Sequence, residues 1–203
     1  MKVAWLCPYP LNRIENIPVK YREKQDHPGT WIVTLSKDLA KRGDVELHII
    51  SEYTNIASSF HTVQDNIHFH MLRSGSAVPF LLKGYPSFVP LDVTSSFSKN
   101  RRLLREKLNE IKPDLVHAHG TEGPYGVTSV ESGYPHLISI QGVMSKLKAI
   151  NPNYRYRKNA LLEEKVVKRG INFVAKTRFA AEFIKSVNPK ANIYFDQVFF
   201  GRL

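Results

Sequence analysis

The residues best equipped for chemistry lie in Asp114–Gly126, DLVHAHGTEGPYG. Two histidines stand two residues apart at the end of an apolar run, followed by a glycine-bearing loop that carries Glu122. Such a pair can pack in a core, ligate a metal, or serve as hydrogen-bonding or proton-transferring groups at the mouth of a site. On an extended strand Leu115, His117 and His119 share one side, while Val116 and Ala118 take the other. His117, deeper along the strand, reads as a hydrogen-bonded core histidine. His119 sits at the lip before Gly120-Thr121-Glu122, where a polar side chain reaches a ligand. A metal centre needs more than two imidazoles. No nearby His, Cys or Asp cluster completes a tetrahedral set around this pair, so no metal is expected.

Three other stretches offer polar groups where strands end. A long polar loop after the first strand finishes in Pro28-Gly29-Thr30, at the start of a helix. Glycine there lets a ligand approach the backbone, and the unpaired N–H groups of a first helical turn favour an anion such as phosphate. The same residues also make an ordinary glycine turn with a threonine N-cap. Gln141-Gly142 closes another strand and presents an amide side chain beside a glycine backbone. Lys176 and Thr177 end the next one, where a lysine either binds phosphate or is solvated.

Several chemistries are disfavoured. No G-x-G-x-x-G follows the first strand and no G-x-x-x-x-G-K-[ST] occurs, which argues against standard dinucleotide binding and P-loop hydrolysis. There is no G-x-S-x-G elbow, and Cys7 lies in a strand ahead of Pro8 and Pro10. Nucleophilic hydrolase chemistry is therefore not expected.

The elements that must position these residues alternate along the chain. Strands are expected at 2–7, 45–51, 67–72, 114–119, 136–142, 171–177 and 191–195. Helices are expected at 30–43, 95–114, 125–133, 156–170 and 178–187. Short apolar runs alternating with helical periodicity indicate βαβ units, hence an α/β domain with a mainly parallel, doubly wound, Rossmann-like sheet of about seven strands. The segment 74–98, rich in Pro, Gly and Ser with aromatics between them, reads as a surface excursion or a docking lip for an apolar partner.

The chain has 203 residues, 42% of them hydrophobic and 23% charged, which suits one large domain over residues 1–203. Its single cysteine excludes an internal disulfide and suggests a reducing cytoplasm. The apolar runs are too short to span a bilayer, and the N-terminus is too short for a secretory signal. Net charge is +11. Lys146–Arg178 contributes +8 of it, from ten basic and two acidic residues. That field favours an anionic partner: a phospholipid surface, a diphosphate-linked substrate or nucleic acid. A solvated basic face would look the same. Tyr154 and Tyr156, interleaved with Arg155 and Arg157, could stack on bases, but no known nucleic-acid motif is present and nucleic acid is not the expected partner.

Taken together, HPGTWIVTLSKDLAKRG-DVELHIIS, IKPDLVHAHGTEGPYGVTSVESGYPHLISIQG and INFVAKTRFAAEFIKSVNPKANIYF resemble the N-terminal half of family 4 retaining glycosyltransferases of the GT-B fold. The likeness covers nearly the whole chain in order and is closest to bacterial members that build surface polysaccharides and lipid-linked glycans. It implies transfer of a sugar from a nucleotide-sugar donor to a glycan or lipid-linked acceptor, in the cytoplasm or at the inner face of the membrane. No cofactor or metal is implied. His119 matches the second histidine of the family's H-x-H, near the transferred sugar and the acceptor, and Glu122 shares that cleft in a catalytic role. Gly29 and Thr30 fall at the glycine-rich first loop, although Pro28 stands where a first glycine is frequent. Gln141 and Gly142 line the same cleft. Thr177 stands where a small hydroxyl residue follows the last strand, with Lys176 before it. The family's second, donor-binding domain is not in these 203 residues, so the piece alone is expected to be inactive. The competing reading is a non-catalytic basic α/β module for nucleic acid or an anionic surface.

Overall fold

The computed structural model describes residues 1–15, 17, 30–75, 77–82 and 85–195. Its main sheet has eight strands. In spatial order they are β10 (Asn192–Phe195), β9 (Asn172–Ala175), β8 (His136–Ile140), β7 (Leu115–His119), β1 (Lys2–Leu6), β2 (Glu46–Tyr53), β4 (Ile67–Arg73) and β3 (Phe60–Gln64). All neighbours are parallel except β3, which pairs antiparallel with β4. The fold is α/β and Rossmann-like, as the alternation of elements predicts.

Burial explains which strands are central. β1, KVAWL, is buried at all but its first position, as a parallel strand covered on both faces must be. β3, FHTVQ, alternates half-buried and exposed residues and closes an edge with one wet face. Helices cover both faces. One core joins Ala4, Leu6, Val116, Ala118, Ile138 and Ile140 to α3 (Ser98–Ile111), α4 (Pro124–Glu131), α6 (Tyr154–Arg169) and α7 (Arg178–Val187). The other face packs Val3, Trp5, Cys7, Leu47, Ile49 and Phe69 with Ile32 and Ala40 of α1 (Thr30–Ala40). Each fully buried Leu or Ile contributes about 1.5–3 kcal/mol of transfer free energy, so the two cores hold the sheet between its layers. In α3 the stripe Leu104, Leu108, Ile111 faces the sheet, and the helix stops at Lys112 in a left-handed turn ahead of Pro113.

Some elements depart from the sequence reading. The segment 74–98 is not a structureless excursion: it holds the antiparallel pair β5 (Ala77–Leu82) and β6 (Tyr85–Pro90), then the short α2 (Leu91–Thr94). β3 was not expected, nor was α5 (Met144–Ile150), whose first amides are satisfied from a distant helix. α4 begins at Pro124, one residue early, because proline suits a first helical position where no N–H partner exists.

Candidate active site

Strand order reverses direction of growth between β1 and β7: from β1 the chain builds outward to β2 and β4, and later from β7 to β8, β9 and β10. Ligands of open α/β sheets bind beyond the carboxyl ends of strands at such a switch point. His119 ends β7 there, opposite the end of β1.

The site is built on the α1 side of the sheet. Trp5, His117 and His119 point to the same face. The His119 ring lies 4.0 Å from His117, 4.6 Å from Trp5 edge-on, and 5.5 Å from Trp31 of α1. The Lys176 Nζ sits 4.1 Å above the Trp31 ring, a cation–π contact that brings a positive charge to the same place. The expected depths of the two histidines are reversed. His117 is half-buried and its Nε2 bonds Ser139 Oγ at 2.8 Å, while His119 is only 5% exposed. Both His119 ring nitrogens are buried and, among the described residues, without a hydrogen-bond partner. The lip position therefore does not leave His119 open to solvent, because Trp31 closes over it.

Burial, then His117 and Lys176, holds His119 well below the ordinary histidine range. Burial alone pushes His117 down to about 4. His119 is thus a neutral imidazole with one donor and one acceptor nitrogen at its disposal. Leaving both unmade costs about 1–3 kcal/mol for each buried group, which a polar ligand would recover.

The loop after β7 is shaped by its glycines. Gly120 has φ +109°, and a Cβ there would meet the Glu122 carboxylate at 2.9–3.0 Å. At Gly126 a Cβ would meet the Gly120 carbonyl oxygen at 2.9 Å, so this glycine allows α4 to approach the loop. Glu122 folds back over its own loop; burial pushes its carboxyl up, opposed by the backbone N–H groups of Glu122 and Thr121. Its Oε2 is buried without a partner, and no hydrogen bond joins it to His119 among the described residues.

The remaining expected residues divide. Gln141 follows β8, half-buried, with its Nε2 unpartnered. A Cβ at Gly142 would meet Leu147 and Met144 only at an ordinary 3.8 Å, so protein packing does not require glycine there. Lys176 reaches the site through Trp31. Thr177 is the N-cap of α7, accepting from Ala180 N at 3.1 Å, which accounts for its hydroxyl without a ligand. Thr30 is the first residue of α1 and Gly29 lies outside the described residues.

Four contributors escaped the sequence reading. Trp5 and Trp31 wall His119, and Ser139 orients His117. The fourth is Glu163 of α6, fully buried, which accepts from Met144 N at 2.8 Å, Ser145 N at 3.0 Å and Thr121 Oγ1 at 3.0 Å. It ties the loop after β7 to the loop after β8. Only the tryptophan that follows Gly29-Thr30 carried a local signal, an aromatic residue in the first turn of a helix opened by glycine.

The basic segment is not one uncompensated face. Lys165 and Arg169 turn to Glu131 at 2.6 and 3.7 Å, joined there by Arg101 at 2.7 Å, and Lys168 pairs with Glu164. Lys158 Nζ lies 5.7 Å from the Tyr154 ring centroid, and the Tyr154 side chain is exposed. Lys146 and Lys148 instead lie on α5 beside the exposed Leu147 and Ile150. No helix among the described residues is long and apolar enough to cross a membrane.

No protein-family model and no curated protein matches the sequence. Solved structures do. A sucrose-phosphate synthase from Thermosynechococcus elongatus superposes over 96% of this chain and 47% of its own, with a TM-score of 0.62 at 10% identity. Glycyrrhiza uralensis UGT73P12, solved with glycyrrhetinic acid 3-O-monoglucuronide, superposes over 96% of this chain and 48% of its own, with a TM-score of 0.50 at 14% identity. Both neighbours are glycosyltransferases, and the chain spans about half the length of each. At such identities the likeness establishes the fold.

Proposed function

We propose that residues 1–203 form the acceptor-side domain of a retaining glycosyltransferase, which moves a sugar from a nucleotide-sugar to a glycan or lipid-linked acceptor. The observation that carries the reading is His119: a buried neutral imidazole at the switch point, both nitrogens unpartnered among the described residues, walled by Trp5 and Trp31. Two indole rings form a surface suited to the apolar face of a sugar, and the imidazole supplies a directed hydrogen bond to a sugar or acceptor hydroxyl. Lys176 and the first turn of α1 place positive potential beside it, where a diphosphate or its leaving charge would be stabilised. A second, donor-binding domain would close over this cleft. The protein's contribution is then positioning, exclusion of water and stabilisation of an oxocarbenium-like sugar as the nucleotide diphosphate departs.

Gln141 and the backbone at Gly142 would complete the polar rim, and Gly29 and Thr30 are proposed as further substrate contacts. Glu122 enters as a carboxyl held near its loop, able to reorient when a ligand arrives. Lys146 and Lys148, with Leu147 and Ile150 between and after them, suit contact with an anionic membrane or a lipid-diphosphate acceptor on the cytoplasmic side.

The test is nucleotide diphosphate release from a panel of nucleotide-sugars and acceptors. It compares residues 1–203 alone with the same residues extended by a donor-binding domain. The extended protein is expected to transfer sugar, with kcat reduced about a hundredfold or more in His119→Ala; residues 1–203 alone are expected to transfer none. Robust transfer by residues 1–203 would overturn the half-enzyme reading. An unchanged kcat in the variant would remove His119 from the reaction.

A further inference from the structure

The outer strands hold a second group of histidines, at the opposite end of the sheet from the cleft. His48 of β2 stands in register with His68 of β4, and His70 of β4 in register with His61 of β3. The four rings form a near-parallel stack: His48–His68 and His61–His70 centroids are 4.5 Å apart, with interplanar angles of 19° and 16°. Packing alone asks only for flat or branched apolar groups on this face; it does not explain four imidazoles and their nitrogens. Among the described residues, Glu46, His48 and His68 are the group whose ligand atoms all lie within 4.8 Å of one another.

We propose that Glu46, His48 and His68 form a divalent-metal site of the zinc class that clips β2 to β4 at the amino ends of these strands. Two imidazoles and one carboxylate are a three-ligand set for zinc, with the fourth position left to water. Zinc–nitrogen bonds of about 2.0–2.1 Å put tetrahedral ligand atoms roughly 3.3 Å apart. The Glu46 carboxylate, on an exposed arm, reaches this by opening from its present 2.8 Å contact with His48 Nε2 while His68 closes in.

The outer partners are already in place. His48 Nδ1 lies 3.0 Å from His70 Nε2 in a buried hydrogen bond. Without a cation, His48 Nε2 donates to Glu46, so Nδ1 accepts from His70. With a cation on Nε2, the ring proton resides on Nδ1 and donates to His70, the second bond that orients ligating histidines. Lys2 Nζ, 3.7 Å from Glu46 Oε1, is the group a metal would replace at the carboxylate, and Lys2 also donates to the Ile111 carbonyl.

The site is independent of sugar transfer, and its test reads the metal alone. Zn²⁺ is titrated into the full chain against a chromophoric chelator, and Co²⁺ is added in parallel to read visible d–d bands. One Zn²⁺ per chain is expected, with Co²⁺ bands of tetrahedral intensity. Affinity should fall about tenfold or more in Glu46→Gln and in His68→Ala, and by a smaller factor in His61→Ala, whose Nε2 lies 3.4 Å from His68 Nδ1. Glu46→Gln sits on an exposed arm, so far-UV circular dichroism should match the parent, and this variant decides the matter if His68→Ala is disturbed. Absence of stoichiometric uptake at low-micromolar free Zn²⁺, or uptake equal in Glu46→Gln and the parent, would overturn the proposal.

Discussion

Strands β7 and β4 carry the same H-x-H spacing, VHAH and IHFH, yet their surroundings differ at every point. On β7 the neighbours in register are Trp5 of β1 beside His117 and Ser139 of β8 beside His119. These are an indole and a hydroxyl, so among the described residues the pair has one hydrogen bond and His119 has two unpartnered nitrogens. On β4 the neighbours in register are His48 and His61, so every imidazole meets another imidazole. The first arrangement leaves ring nitrogens unused among the described residues; the second sets imidazoles and a carboxylate side by side. Spacing within a strand puts two histidines on one face, and the chemistry available to them is set by what adjacent strands bring alongside.

The comparison can be broken first at the support of the cleft. Glu163→Ala removes the acceptor for two backbone amides and the Thr121 hydroxyl, and should cost about 3 kcal/mol in urea unfolding, since it strands buried donors. A loss under about 1 kcal/mol would mean the two loops hold themselves.

A medium effect comes from acid. His117 is neutral when folded, with its ring pushed to about 4, against about 6.5 when unfolded. The unfolded chain therefore takes the proton first: stability from this group is complete above about pH 6.5 and is lost as pH falls toward 4. The slope per proton is up to about 1.4 kcal/mol per pH unit. Glu52 opposes it: burial raises this carboxyl to about 7, and its contribution, present below about pH 4.5, is lost as pH rises through 7. Urea midpoints at pH 7 and 4.5 should thus be compared between parent and His117→Gln, whose acid loss should be shallower. Equal slopes would contradict a His117 held neutral in the folded protein.

The smallest effect belongs to the edge. His61 is exposed on β3, and His61→Ala should change stability by no more than about 0.5 kcal/mol. A loss of several kcal/mol in thermal or urea unfolding would show the stacked rings acting as a core rather than a lining.

Much of the scaffold was legible in the sequence because local physics decides it. Buried parallel strands read as short apolar runs, as in KVAWL, and helices show a stripe such as Leu104, Leu108 and Ile111. The missed pieces are those whose partners are remote. β3 is a polar edge strand that exists by pairing with β4. α5 is short and basic, and its first turn is satisfied by Glu163 nineteen residues away from Met144. The β5–β6 pair reads as a loop because its prolines and glycine outweigh its alternation.

The sequence by itself determined that His117 and His119 share a strand face, that Gly120 and Glu122 follow in a turn, and that the strands run parallel with helices between. Backbone periodicity and turn chemistry are enough for that. Tertiary structure alone decided that Trp31 covers His119, that Lys176 arrives above Trp31, and that His48 meets His68. These contacts join residues far apart along the chain, and they form only when strand order and register bring the strand ends together.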